Sequence, residues 1–518
     1  MNRAILNMTA VNIIGILASI VYSIVVVNLF GTSREIEIYF ATNVIIFVVM
    51  KLSQGGEISE ILLPVYHKYK ENESKEVAQR IISIVLNWYV VFLVFLSIIT
   101  FYSASFLVRF IIPGFTESDH QLGIEMLQAI SPVLVIIFFN GQVQSLLNAE
   151  KKFGWPEMVD VVSRVLMLIT VSVGVTYFDI WIMIIVLWVG ALFKFISYIF
   201  LYYRTGNRFY FQFNIHGFSI FPIIKKLLHT LPYVGSTQIW AVALNAGLST
   251  LPQGYLAVFN YSQTLVMKIS GVFLRPVSTV FFTSFSEGVA KKSIMNNELI
   301  AQGLKNIQLI LFPVLLVFIV AGKQGLMFLW SSENFSIESI NMSYGLIIIL
   351  LIKLHLDGLY TIARKVVVTF DYVAKVYTFT TLSQLLTAVY AWYAIKFLGI
   401  NGAVSSLIVN GFLLTIVPFI ILAIYKKKYL FFYNLLDVFK WLIVCGLTYF
   451  IIIFIKQNFN IFFLNFESIR LNYLFDTLVT SVLASIFIFT IAALLNICSV
   501  KTIIKKITTK IMNRLMRV

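Results

Sequence analysis

The chain has 518 residues, of which 59% are hydrophobic and 12% charged, with a mean hydropathy of +0.91. Soluble domains are about half apolar and about a quarter charged, so the composition excludes a soluble globular protein and implies one that crosses a membrane many times. The net charge of +16 does not signify nucleic acid, because the basic residues gather in short turns and in the C-terminal tail.

A membrane crossing needs about twenty mostly apolar residues. On that rule the sequence predicts an all-α polytopic fold of about fourteen spans, near residues 5–30, 36–62, 81–110, 122–148, 158–177, 181–203, 228–250, 254–285, 299–322, 341–368, 373–397, 402–425, 438–457 and 472–498. The first is too long for a signal peptide and lacks a small-residue cleavage site, so it reads as a retained span. The second carries Glu37, Lys51, Glu57 and Glu60 and is broken by Gly55 and Gly56. Each ionised group at bilayer depth costs from about 3 to about 10 kcal/mol, so such groups face a bundle interior or a watery cavity.

Loop charge tests this layout. If the N-terminus is cytoplasmic, every second turn should be rich in Lys and Arg. Those turns hold Lys68, Lys70, Lys75 and Arg80; Lys151 and Lys152; Arg204, Arg208, Lys225 and Lys226; Lys291 and Lys292; Arg364, Lys365 and Lys375; and Lys426 to Lys428. The opposite turns, TYFDIW, TLPQG and LGING, are poor in them. Both termini are therefore expected in the cytoplasm. The connection 204–227 divides twelve spans into a six-helix lobe (1–203) and a second (228–425), as in transporters built from parallel repeats, with two more helices in 426–500. The tail 501–518 mixes apolar and basic residues and suits the surface of an anionic leaflet.

No catalytic or nucleotide-binding motif stands in these short loops, so neither an enzyme nor a built-in ATPase is expected, and no cofactor. Cys445 and Cys498 form neither a disulfide framework nor a zinc site. The intramembrane polar groups are the candidates for function. Lys51 and Glu57 lie in span two beside Asn43, Ser53 and Gln54. Span eight holds Gln263, Ser270, Lys268 and Arg275, the two cations being two helical turns apart on one face. Span seven adds Gln238 and Asn245. In span ten Lys353 and Asp357, at i,i+4, can pair within the helix beside His355, as a self-neutralising pair or a coupling and gating site. Arg164 and Lys194 are single charges in spans five and six, and Asp371 lies at a membrane edge. A cavity with excess Lys and Arg favours an anion, since the cost of burying the cations is offset when a phosphate pairs with them.

FGTSREIEIYFATNV followed by GGEISEILLPVYHKY resembles the second-span signature of the MurJ/MviN lipid II flippases, in the multidrug/oligosaccharidyl-lipid/polysaccharide exporter superfamily. IIPGF with LLNAEKKFGWPEM, then FNYSQTLVMKISGVFLRPVSTVFFTSFSEG, then LGINGAVSSLIVNGF agree in order. The resemblance spans nearly the whole chain and implies fourteen helices, two MATE-like lobes and a tail groove on the last two. It implies a flippase carrying an undecaprenyl-pyrophosphate-linked saccharide across the bacterial inner membrane, with membrane lipids and a glycan synthase or polymerase as partners. Lys51, Lys268 and Arg275 would bind the pyrophosphate, Glu37 matches the family's acidic position, and drive would come from Na+, H+ or the membrane potential. The arginines usual in the family's first span are missing from NIIGILASIVYS, and Thr264 stands for the eighth-span arginine. Lipid II and a polysaccharide repeat unit thus both remain open as substrates. A cation-coupled multidrug exporter is the alternative function, and a membrane scaffold a third class.

Overall fold

The computed structural model describes residues 2–53, 65–66, 69–150, 154–290, 296–369, 372–424, 430–458, 468–495 and 497. Gln54, Glu57, Glu60, Asp371 and the tail 501–518 lie outside the described residues.

Among the described residues the chain is nearly all helix. The elements are α1 (Asn2–Phe30), α2 (Arg34–Leu52), α3 (Lys75–Tyr102), α4 (Ala104–Ile111), α5 (Glu117–Ala149), α6 (Gly154–Phe178), α7 (Ile182–Arg204), α8 (Phe221–Leu248), α9 (Tyr255–Ala290), α10 (Asn296–Trp330), α11 (Ile337–Thr369), α12 (Val373–Leu398), α13 (Ile400–Ile424), α14 (Leu430–Asn458) and α15 (Ile469–Leu494). In lipid every backbone polar group must be satisfied within the protein, which helices do and open sheets do not. Eight described stretches are long and apolar enough to cross a membrane by length and composition. The expected fourteen goes beyond that number, and α2 shows why: Glu35, Glu37 and Lys51 lie inside its nineteen residues.

Side-chain caps set several helix starts. Ser33 Oγ accepts the Ile36 N–H at 3.4 Å, and Ser74 Oγ accepts that of Val77 at 3.2 Å. At α5 Thr116 and Asp119 form a reciprocal capping box, satisfying two amides that lack intrahelical partners. Many exposed positions on these helices are large and apolar, Phe106 and Phe450 each 69% exposed.

The helices form two compact units. The first comprises residues 1–257 and 388–403. Within it α6 packs on α1 and α7, α5 on α3 and α7, and α2 on α5 and α8. Gly114 in the α4–α5 turn lies so close to Ser249 that an added Cβ would sit 2.4 Å from its carbonyl oxygen. The second unit comprises residues 258–387 and 404–518. There α10 packs on α11, α14 and α15 around Phe312, Leu316, Trp441, Val444, Ile488 and Ala492. Phe312 and Trp441 stack at 5.7 Å and 7°, and the His355 ring lies 4.7 Å from Phe312.

Candidate functional site

Glu37 stands in the first turn of α2 with 1% of its surface exposed. Its Oε1 accepts the backbone N–H groups of Gly254, Leu256 and Ala257 at 2.8, 3.0 and 3.3 Å. These are the amides that open α9, which have no intrahelical acceptor. The carboxylate therefore caps a helix remote in sequence, where the dipole favours negative charge. Gly254 has φ +97°, a conformation that side chains disfavour, and lies against Thr32 in the turn before α2. The other carboxylate oxygen accepts from Arg34 Nη1 at 2.9 Å. Arg34 in turn lies over the Phe115 ring at 4.2 Å and 4.0 Å from Asp119. One buried carboxylate thus joins the ends of α2, α5 and α9.

The other expected site residues divide between the units. Lys51, in the last turn of α2, is exposed, and Asn43 donates to the Tyr39 carbonyl at 3.0 Å, a bond within its own helix. In the second unit Gln263 and Lys268 are half-buried on α9, and Arg275 lies two turns beyond Lys268 on the same helix. The pairing expected in α11 is present: Lys353 Nζ donates to both Asp357 oxygens, at 2.9 and 2.7 Å. His355 is half-buried, bonds the Leu351 carbonyl at 2.9 Å and lies against the Phe312 ring.

A cavity of about 690 Å³ lies among α2, α4, α8 and α12 in the first unit. Arg109, Gln238 and Tyr393 line it together with Val48, Val242, Trp392 and other apolar groups.

Two clusters escaped the sequence reading. Lys194 is not a single charge: its Nζ forms a close ion pair with Asp160 Oδ1, at 2.5 Å. Tyr198 OH and Gln144 Nε2 also donate to Asp160, at 3.2 and 3.0 Å, so one carboxylate ties α5, α6 and α7. Lys194 and Tyr198 are one helical turn apart, a spacing visible in the sequence once a partner is sought. The second cluster surrounds Glu150, the cap residue at the end of α5. Tyr66 OH and Asn207 Nδ2 donate to it at 2.7 and 3.0 Å, and Lys75 Nζ is 3.6 Å away. Burial alone would raise the Glu150 pKa. The hydrogen bonds from Tyr66 and Asn207 and the charges of Lys75 and Lys70 more than offset that and hold it below its ordinary value.

The family model described as "Lipid II flippase MurJ" matches residues 26–473. This chain belongs to the MurJ lipid II flippase family. A Buchnera aphidicola subsp. Baizongia pistaciae protein described as "Probable lipid II flippase MurJ" is 23% identical over 378 residues, covering 70% of this chain and 73% of its own. The "Lipid II flippase MurJ" of Thermosipho africanus is 25% identical over 148 residues, covering 29% of this chain and 30% of its own. Among solved structures, one described as "Lipid II flippase MurJ, inward closed conformation" has a TM-score of 0.74 at 18% identity, covering 94% of this chain and 99% of that one. An inward-facing MATE multidrug transporter of the MOP superfamily is more distant, with a TM-score of 0.63 at 15% identity, covering 78% and 93%. The MurJ/MATE-like fold, and the role of a transporter of lipid-linked precursors, follow for this member of the family.

Proposed function

We propose that the protein moves an undecaprenyl-pyrophosphate-linked saccharide, lipid II or a polysaccharide repeat unit, from the inner to the outer leaflet by alternating access. The observation that carries this is the unbroken family match over residues 26–473. Lys51, Lys268 and Arg275 bind the pyrophosphate, with Asn43, Gln54, Glu57 and Gln263 as polar neighbours. The excess of cations over carboxylates at these positions supports an anionic headgroup and speaks against the cation-coupled drug exporter.

Both termini are placed in the cytoplasm, as the alternation of basic turns supports. Two six-helix lobes joined at 204–227 then carry the transport cycle. The Glu37 cap lies on the outer side in this orientation. The Lys353–Asp357 pair is assigned to gating or coupling, with Na+, H+ or the membrane potential as the source of drive. A glycan synthase or polymerase is the partner that consumes the product.

The test is complementation of a strain depleted of its own flippase. Lys51→Ala, Lys268→Ala and Arg275→Ala should each abolish growth while membrane levels of the protein stay normal. Wild-type growth from all three overturns the anion site. Cysteines at Asn43 and Gln54 should react with a water-soluble thiol reagent; protection of both argues against an aqueous cavity. Gene neighbours for sugar transferases and a polymerase would favour a polysaccharide unit over lipid II.

A further inference from the structure

The connection after α7 does not cross freely to α8. Residues 207–213 run along α3, received by three polar side chains spaced one helical turn apart. Gln79 Nε2 donates to Asn207 Oδ1 at 2.8 Å, Ser83 Oγ accepts the Tyr210 N–H at 3.1 Å, and Asn87 Nδ2 donates to the Tyr210 and Gln212 carbonyls at 2.9 and 2.8 Å. Trp88 Nε1 then donates to the Phe213 carbonyl at 3.1 Å, and Gln212 Nε2 to the Arg80 carbonyl at 3.2 Å. An irregular backbone beside a membrane helix needs such partners, and here they are supplied in register.

Next to this strap is a groove of about 460 Å³ walled by α3 and α8 and lined also by Leu52, the last residue of α2, and its cap residue Ser53. Its walls are almost wholly apolar: Trp88, Phe92 and Phe95 on one side, Ile224, Leu227 and Leu228 on the other. Phe95 and Leu228 are 58% and 61% exposed, so the groove is open to whatever surrounds the helices. Water has too few polar partners there to be held. Between Arg204 and Lys226 the chain has four Lys or Arg, no Asp or Glu, and six aromatic residues. Phe211 and Phe221 are 88% and 69% exposed, and Arg208, three residues before Phe211, and Lys225, one helical turn after Phe221, are exposed as well. Exposed aromatics among uncompensated cations suit an interface with anionic lipid.

We propose that groove and strap form a binding site for an anionic phospholipid of the inner leaflet, one acyl chain lying in the groove and the phosphate resting on Arg208 and Lys225. The assignment rests on the cytoplasmic placement of the basic turns. A phospholipid is favoured over the transported lipid because none of Lys51, Lys268 and Arg275 lines the groove.

Native mass spectrometry of the full chain, offered phosphatidylglycerol, phosphatidylcholine or a polyprenyl pyrophosphate, tests this. Phosphatidylglycerol should be retained in preference to phosphatidylcholine. Val91→Trp, which fills the groove, should lower that retention by about tenfold, and so should the double variant Arg208→Ala/Lys225→Ala. Equal retention of the two phospholipids, or phosphatidylglycerol retention unchanged in both variants, overturns the proposal. So does polyprenyl pyrophosphate that displaces phosphatidylglycerol and is itself lost from Val91→Trp, since the groove would then belong to the transported lipid. The double variant changes only exposed side chains, so it keeps the test valid if the filled groove fails to fold. Failure of the flippase assignment would show instead as intact lipid retention with no transport.

Discussion

Glu37 shows how much one side chain can hold. Hydrogen bonds to a charged group contribute about 1.5–3 kcal/mol each, and a carboxylate at a helix N-terminus gains up to about 2 kcal/mol more in a partly buried geometry. Three α9 amides and Arg34 depend on this one carboxylate. Glu37→Ala strands those amides, whereas Glu37→Gln keeps an acceptor for them and loses only the charge. Glu37→Ala should therefore fail to complement and Glu37→Gln should retain part of the activity. Equal behaviour of the two would remove the capping role. Asp160 makes a second residue-scale prediction. Removing Lys194 leaves the Asp160 charge in a helix interface, but Asp160 and Lys194 are 18% and 30% exposed, so the several-kcal/mol cost of a fully buried orphan is reduced to about 2 kcal/mol. Lys194→Met should lower the melting temperature in detergent, and Asp160→Asn combined with it should recover most of the loss.

At the scale of elements, the helices were legible because long apolar runs separated by basic turns leave few alternatives, and each expected span overlaps a helix in the described residues. The pairings between helices were not. Asp160 lies at the start of span five, where a carboxylate reads as an ordinary end charge until Gln144, Lys194 and Tyr198 arrive from two other helices. Gln79, Ser83 and Asn87 carry a signal, a polar stripe at helical spacing in an apolar span, and their partner is the loop 207–213, whose sequence reads as a linker. The family resemblance supplied Glu37, while its partner at Gly254 is a backbone, which no residue type announces. The Glu150 cluster makes the element-scale prediction. Because the folded carboxyl lies below its ordinary value of 4.5, its stabilisation is fully present above that pH and is lost as pH falls through the lower, folded value. Glu150→Gln should thus lower stability at neutral pH, with the gap to wild type closing as acid protonates the carboxyl. A gap that stays constant with pH would mean that Asn207 and Tyr66 gain nothing from the charge.

For the whole molecule the question is what drives a bulky anion outward without nucleotide hydrolysis. Moving one negative charge out across 100 mV, inside negative, yields about 2.3 kcal/mol, and a pyrophosphate carries roughly two such charges. The proposed cations alter this sum only if they travel with the headgroup. Lys51, Lys268 and Arg275 are fixed to helices, so the charge that crosses is the substrate's own, less whatever fraction of the field those helices move through. If the potential is the drive, flipping in intact cells or proteoliposomes should slow when a potassium ionophore collapses the potential at constant pH gradient. It should persist when the pH gradient alone is removed. Slowing when the pH gradient alone is removed would instead assign part of the drive to protons and make the Lys353–Asp357 pair the first place to look for their carrier. The two treatments separate the sources because an outward-moving anion gains from potential in proportion to its charge, whereas a proton-coupled exchange gains from both gradients.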